Sequence, residues 1–596
     1  MTNDNASGFG RLGWRLTQAC AGIAAVTLGC AAALGAWSLT AAGRIELPHE
    51  LTAELWYRTP ESTAMTAVAV AVALLVLLLA ARTAKHLMVT IAAALVTAIV
   101  GIYFLVNSVD VIAVLRATSV DFVRSQQVPA AAVAWLLAAA GSLAALFGIA
   151  PPPRRTGPVA LVVGLVLATA GSAGAVWAAV RAGDDSRFVD ATQAADAPIP
   201  PVPADLGERV FSMKVSDRNE SERSDGTDVT VAAAGAGFIA VQDGTLTAYD
   251  SAGRPRWHYR RTGPGDLAVQ RANVYDGGRT VILLLHADPD RQEPAALVAL
   301  DAMTGEQLWM STAPSLVAAF GSASNSDLWP HQWSWPARHL IARSDEGWKA
   351  YDPRTGAALW SIDSPQRCED AGEQVGGDVV ERADAVMAFT QCSQAGAVTV
   401  TARTLDPRTG EVTASVPVVT GQYPVHGRRY LDITVTPAGE GGVAYSVKAK
   451  SGEHLGYLSA EGALRSSQVQ PYSIVTSTES VPEFLAGRVD DDPARTVYGP
   501  DGVPRCSTPA GVPEQPYSGT DVSWLADQFV LYMFTDLTQE SGTLLQSFDR
   551  QTCAPMTRIP QPWGSVRGIG AAPGVLLAVR TDRTGTHIDG YSGAGG

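Results

Sequence analysis

The phrase LVALDAMTGEQLW, starting at Leu297, returns as KAYDPRTGAALW from Lys349 and as ARTLDPRTGEVTA from Ala402. Looser copies start at Leu246, Gly456, Thr496 and Gln546, and a truncated one, IDGYSG, at Ile588. A period of roughly fifty residues restricts the fold to radial or stacked arrays, in which each unit buries its apolar face on the next. Within a copy, alternating apolar residues describe a half-buried strand. Asp, Pro, Thr and Gly then reverse the chain, with Gly taking a positive φ. The terminal Trp opens the outgoing strand and can wedge against the next unit. Upstream runs such as GFIAVQD and TVILLLHAD supply further strands, about four per copy. Four-stranded sheets repeated around an axis close into a β-propeller. The last copy lacks its outer strand, and a lone strand, Glu208–Asp217, precedes the first full copy. That strand can complete the last blade and join the two ends. The count is then eight blades, with seven the alternative, because the copies at Gly456 and Thr496 are degenerate.

Ahead of the repeats lie five apolar stretches, at about 17–41, 63–81, 87–106, 129–150 and 158–180. Each is long enough to cross roughly 30 Å of hydrocarbon at about 1.5 Å per residue. Arg11 and Arg15 precede the first, Arg82 and Lys85 lie between the second and third, and Arg154 and Arg155 lie between the fourth and fifth. The positive-inside rule puts those three places, and the N-terminus, in the cytoplasm. The longer loops, about 42–62 and 107–128, then face outward. An odd number of spans carries everything after residue 182 to the extracytoplasmic side. No Asp, Glu, Lys or Arg lies well inside a span, which speaks against a pump or proton relay. Glycines spaced seven apart (Gly22 and Gly29, Gly141 and Gly148, Gly164 and Gly171) fall on single helix faces and suit close helix packing. A packed anchor bundle is the plainer reading, and a quinone or lipid site among the helices the sharper one. Trp14, Trp37, Trp56, Tyr57, Tyr103 and Trp177 are expected near the interfaces.

The expected organisation is thus a five-helix membrane domain over 1–181, a Pro-rich linker over 182–206 and an all-β propeller over 207–596. Charge divides the same way. Residues 1–181 hold 11 Lys and Arg against 7 Asp and Glu, and the remainder holds 33 against 51. So acidic an outer part disfavours nucleic acid or anionic lipid as its partner. The abundance of Ala and of Arg over Lys is associated with GC-rich bacterial genomes.

The form Ala-x-Asp-x-x-Thr-Gly-x-x-x-Trp is met by Ala299, Asp301, Thr304, Gly305 and Trp309, and again by Ala350, Asp352, Thr355, Gly356 and Trp360. A third copy keeps Asp406, Thr409 and Gly410 without the Trp. This pattern resembles the repeat of the PQQ-type quinoprotein propellers, over about residues 205–596. The resemblance implies that these residues pack blade on blade. It does not imply a bound cofactor, since the family includes non-catalytic members such as the lipoprotein propeller of outer-membrane protein assembly. Membrane-bound quinoprotein glucose dehydrogenase is similar in plan, with five helices before an eight-bladed propeller. Yet no catalytic Asp and no calcium-binding carboxylate or amide of the family falls on a matching motif here. The repeat region is also lean for a family whose catalytic members insert long active-site loops.

Other candidates for chemistry are few. Cys20 and Cys30 lie in the first span and are expected to be inert thiols. Cys368, Cys392, Cys506 and Cys553 lie outside, where disulfides persist. Of the three pairings open to them, Cys368–Cys392 and Cys506–Cys553 are favoured. GFGRLG at Gly8–Gly13 follows no strand and reads as chance. The acidic runs Asp288, Asp290, Glu293 and Asp490–Asp492 lack the pattern of a calcium loop. Trp329, His331, Trp333 and Trp335, with His339 close by, form a candidate ligand platform if exposed and core between blades if buried.

Two classes of function follow. One is a non-catalytic binding or scaffold module, held to the lipid bilayer and meeting envelope proteins or glycans, with no nucleic acid and no cofactor. The alternative is a PQQ-dependent sugar or alcohol dehydrogenase, with PQQ and calcium, that passes electrons to membrane quinone.

Overall fold

The computed structural model describes residues 4–40, 59–83, 87–121, 123–149, 159–216, 230–263, 267–286, 296–323, 338–344, 347–363, 373–381, 385–394, 397–422, 432–438, 442–449, 452–459, 463–466, 476–478, 481–487, 495–499, 501, 503–509, 522–534, 543–561, 565–582 and 584–593. Five of its helices are long and apolar enough to cross a membrane. They are α1 (Asp4–Thr40), α2 (Pro60–Thr83), α3 (Leu87–Asp121), α4 (Gln127–Gly148) and α5 (Val159–Ala182).

Each of the five apolar stretches falls on one of these helices, but the third helix ends later than hydropathy suggests. Helix α3 continues through Asp110 and Arg116, inside the stretch expected to be an outer loop, because backbone hydrogen bonding does not stop where the apolar run does. Tyr103 therefore sits mid-helix, with ring contacts to Phe104 and Trp135, and not at a helix end.

Helix α1 is the hub. Gly141 and Gly148 of α4 lie against Leu28 and Ala21 of α1, and a Cβ on Gly22 would stand 2.7 Å from the Leu161 carbonyl of α5. Backbones can approach this closely only where side chains are absent. Gly29 and Gly171 face open space, so the two helices diverge beyond that crossing. Helices α2, α3 and α5 leave many large apolar side chains exposed, as a lipid-facing surface would.

The rest of the described chain forms eight antiparallel sheets. Sheet 1 holds strands from Thr230 to Arg261, sheet 2 from Ala268 to Ser311, sheet 3 from Leu340 to Asp363 and sheet 4 from Glu373 to Gln422. Sheet 5 runs from Asp432 to Ser466, sheet 6 from Thr476 to Ser507 and sheet 7 from Val522 to Pro560. Sheet 8 takes Ser565–Ala572, Val575–Asp582 and Gly585–Tyr591 and adds Arg209–Ser216 beside the last. That early strand does complete the final sheet.

Apolar clusters fill the spaces between successive sheets: Ile239 and Leu283 between sheets 1 and 2, Val231 and Leu577 between 8 and 1, Tyr532 and Ile569 between 7 and 8. Each sheet thus has a neighbour on both faces, as in a propeller. The motif strands differ among themselves: Thr245–Asp250 and Ala397–Leu405 alternate as half-buried strands do. Ala296–Leu300 is buried at every residue, whereas the outermost strand Pro555–Pro560 has no buried residue. Sheet 3 departs from the pattern. Its described residues form three strands, and helix α6 (Pro314–Ala323) packs Leu316, Ala319 and Phe320 into the cluster between sheets 2 and 3.

Candidate functional site

The motif turn is built from its own side chains. Asp301 Oδ1 accepts from the amides of Met303 at 3.0 Å and Thr304 at 3.1 Å, while the Gly305 amide donates to the Asp301 carbonyl at 2.8 Å. Asp352 and Asp406 repeat this, accepting from the amides of Arg354 and Thr355, and of Arg408 and Thr409. Burial alone would raise the Asp301 carboxyl, but hydrogen bonds from Arg354, Thr304 and Met303 outweigh it and hold the carboxyl below its ordinary value. Backbone hydrogen bonds from Arg408 and Thr409 do the same for Asp406.

The tryptophans act across sheets. Trp257, at the end of sheet 1, donates Nε1–H to the Ala302 carbonyl in the sheet 2 turn at 3.1 Å. Trp309 donates to Pro353 and Trp360 to Pro407, each at 2.9 Å. Each indole then lies flat on the turn glycine of the next sheet. A Cβ on Gly305 would stand 2.8 Å from the Trp257 ring, and Gly356 and Gly410 meet Trp309 and Trp360 in the same way. These glycines also have φ near +70°, so they are fixed both by the turn and by the ring. Ala299 and Ala350 pair in register with Trp309 and Trp360. The third copy lacks a Trp of its own but still receives Trp360. Arg354 ties neighbouring turns together, donating to Asp301 Oδ2 at 2.9 Å.

The segment expected to be a linker is bound to the propeller along most of its length. Val189–Ala191 adds a fifth strand to sheet 1, with Val189 opposite Arg261. The Ala194 amide donates to Thr304, and Pro201, Pro203 and Ala204 accept from Gly574, Ala526 and Asp527. Those partners all lie in turns at one end of the sheets. The strap therefore climbs the edge of sheet 1 and crosses the turn face.

At the opposite end, sheet 1 meets the bundle. Asp185, just after α5, receives both terminal nitrogens of Arg261 at 2.7 and 2.8 Å, and the Arg124 amide at 2.9 Å. The Arg261 side chain is wholly buried. Burial alone would lower its guanidinium, but Asp185 outweighs that and holds it above its ordinary value. Val123, from the α3–α4 connection, joins the cluster between sheets 1 and 2. The turn face is thus the face away from the bundle. There, Glu381 accepts from the amides of Arg338 at 2.7 Å and His339 at 3.0 Å, and from His339 Nδ1 at 2.6 Å. Nearby Tyr275 is buried, and burial chiefly, with the Glu381 charge, pushes its phenol well above the usual range.

Trp329, His331, Trp333 and Trp335 lie outside the described residues, as do Cys368 and both acidic runs; what the structure supplies is the clamp at 338–339, where the chain returns. Cys506 and Cys553 are bonded to each other, Cys392 is disulfide-bonded, and Cys20 and Cys30 are free. Gly8–Gly13 lies within helix α1. Asp185, Arg261 and Glu381 gave no sequence signal, because their partners lie 42 to 76 residues away. Among the described residues no three His, Cys, Asp or Glu side chains converge.

Residues 202–316 and 290–476 match the family model described as outer membrane protein assembly factor BamB. No curated protein matches the chain. Among solved structures, the computationally designed Ika8 protein is 13% identical, with TM-score 0.35, covering 64% of this chain and 99% of that one. The Dos1 propeller is 10% identical, with TM-score 0.33, covering 65% and 95%. Dihydro-heme d1 dehydrogenase NirN, in complex with DHE, is 11% identical, with TM-score 0.30, covering 72% and 89%. The family match falls on the sheets whose Asp, Gly and Trp form the interlocking turns, and the β part of this chain is a PQQ-like β-propeller.

Proposed function

We propose that this chain is a membrane-anchored, extracytoplasmic β-propeller of eight blades that acts as a binding or scaffold module in the bacterial cell envelope. The observation that carries the reading is how the motif residues are used. Every described Asp, Thr, Gly and Trp of the repeat closes a turn or seals one sheet to the next. What remains is a rigid acidic body, fixed to the bundle through Asp185, with its turn face directed away. Loop charge supports the outward placement, and so does a disulfide in the propeller. Envelope proteins or glycans are the partners this surface would meet.

Photo-cross-linkers at turn-face positions such as Arg354 and Arg408 test it in intact cells. One specific envelope partner should be captured, and capture no better than from bundle-side positions would end the reading. The dehydrogenase alternative has its own assay. Full-length protein in detergent is unfolded thermally with and without PQQ and calcium. A ligand at a hundred times its Kd adds about 2.7 kcal/mol to a folded state that binds it. No shift is expected, and a clear upward shift would turn the work to sugar and alcohol substrates.

A further inference from the structure

At four seams an aromatic ring on an outer strand of one sheet covers a turn glycine of the next: Phe211 on Gly253, Trp257 on Gly305, Trp309 on Gly356 and Trp360 on Gly410. Between sheets 6 and 7 both residues are replaced. Cys506 pairs in register with Val497, as Trp257 pairs with Ala248 and Trp309 with Ala299. Cys553 follows Asp549 by four residues, as Gly305 follows Asp301. Its amide donates to the Asp549 carbonyl at 2.9 Å, matching the 2.8 Å bond at Gly305. It also keeps the glycine's left-handed backbone, with φ 56°, a conformation that side chains disfavour. Cys506 Sγ stands 4.0 Å from the Arg550 carbonyl, the turn position that accepts the indole Nε1–H at Ala302, Pro353 and Pro407. Cysteine thus occupies both the tryptophan place and the glycine place, and the two sulfurs are bonded.

We propose that this disulfide is the blade lock of the sheet 6–sheet 7 seam, standing in for the indole-on-glycine contact, and that it makes closure of this one seam conditional on oxidation. A thiol buries far less apolar surface than an indole, so reduced cysteines leave the seam without its lock. Closing joins two thiols into one S–S bond. Two electrons and two protons pass to the disulfide of an exchanging partner, which leaves as a dithiol; a dithiol reverses the step. The same seam holds the buried carboxylate of Glu483, 3.0 Å from Arg505 of its own sheet and 3.4 Å from Arg550 of the next. An opened seam therefore admits water to an ion cluster already able to be solvated. The proposal does not depend on which partner the propeller meets.

The test uses full-length protein in detergent, with Cys368→Ser and Cys392→Ser so that a dithiol acts on one bond. Amide hydrogen exchange is followed with and without dithiothreitol. The strands Pro504–Ser507 and Pro555–Pro560, and the turn between Asp549 and Cys553, should exchange at least about tenfold faster when reduced. The turns at Gly305 and Gly356 should not change. In the same background, Cys506→Trp with Cys553→Gly should restore the common lock and abolish the response to dithiol. Reduction that leaves the Asp549 turn protected, or that loosens the tryptophan-locked turns equally, overturns the proposal. So does a folded double variant whose seam exchanges as fast as the reduced parent. If the double variant does not fold, the exchange of the parent with and without dithiol decides alone.

Discussion

Gly305 and Gly277 have similar left-handed backbones, with φ of 75° and 61°, but different surroundings. A Cβ on Gly305 would strike the Trp257 ring, whereas nothing lies within 4 Å of one on Gly277. Gly277→Ala should therefore cost only its backbone strain, about 1 kcal/mol. Gly305→Ala adds the clash and should cost about 2–4 kcal/mol. Equal losses in denaturant unfolding would show that the indole contact is not what constrains the turn. The motif carboxylates set the pH response. Hydrogen bonds hold Asp301 below its ordinary value despite burial; Asp549 is held low by the Thr552 hydroxyl and then by turn amides. A depressed carboxyl stabilises the fold above its unfolded pKa, about 3.9, and that contribution is lost as pH falls through the lower, folded value. Stability should thus be flat near neutrality and fall below about pH 4. An Asp301→Asn variant with an unchanged acid limb would contradict the assignment.

At the scale of elements, the described contacts that join the propeller to the bundle are the Asp185 carboxylate, Val123 and the strap. Asp185→Asn keeps the shape but leaves the buried Arg261 guanidinium without its counter-charge, at an expected cost of about 3 kcal/mol. The loss should be local. A bifunctional thiol cross-link between cysteines placed at Val123 and Leu267, members of one apolar cluster, should form less completely in the variant, while the melting of sheets 4–7 stays put. Full cross-linking in Asp185→Asn would mean that the strap alone fixes the orientation. Reading 182–206 as a linker followed from its Pro and Ala content. That composition specifies extended backbone, and the segment is extended. It says nothing of which carbonyls and amides will meet it, and those belong to turns some 110 to 370 residues away.

The whole molecule depends on closing a ring from two distant parts of one chain. Arg209–Ser216 pairs with Gly585–Tyr591, and Phe211 covers Gly253 across the closing seam. Phe211 is partly buried, and Phe211→Ala should cost about 1–3 kcal/mol. It should also raise amide exchange first in sheets 8 and 1, while the Trp309 and Trp360 seams hold. Uniform loosening would instead indicate a ring that opens anywhere.

Much of this was legible in advance. The repeat fixed strand, turn and radial class, since a motif that carries its own turn chemistry and a projecting indole needs a like neighbour. Length and hydropathy fixed five spans, because hydrocarbon thickness acts on each helix separately. The strand that closes the ring could also be found, as a strand without a hairpin partner at one end and a repeat missing a strand at the other. The Cys506–Cys553 pairing was already favoured in the sequence, whereas helix α6 beside sheet 3, the Asp185 junction and the strap were decided only by the tertiary structure. Each rests on contacts between residues far apart in sequence, where periodicity and local propensity carry no information about the partner.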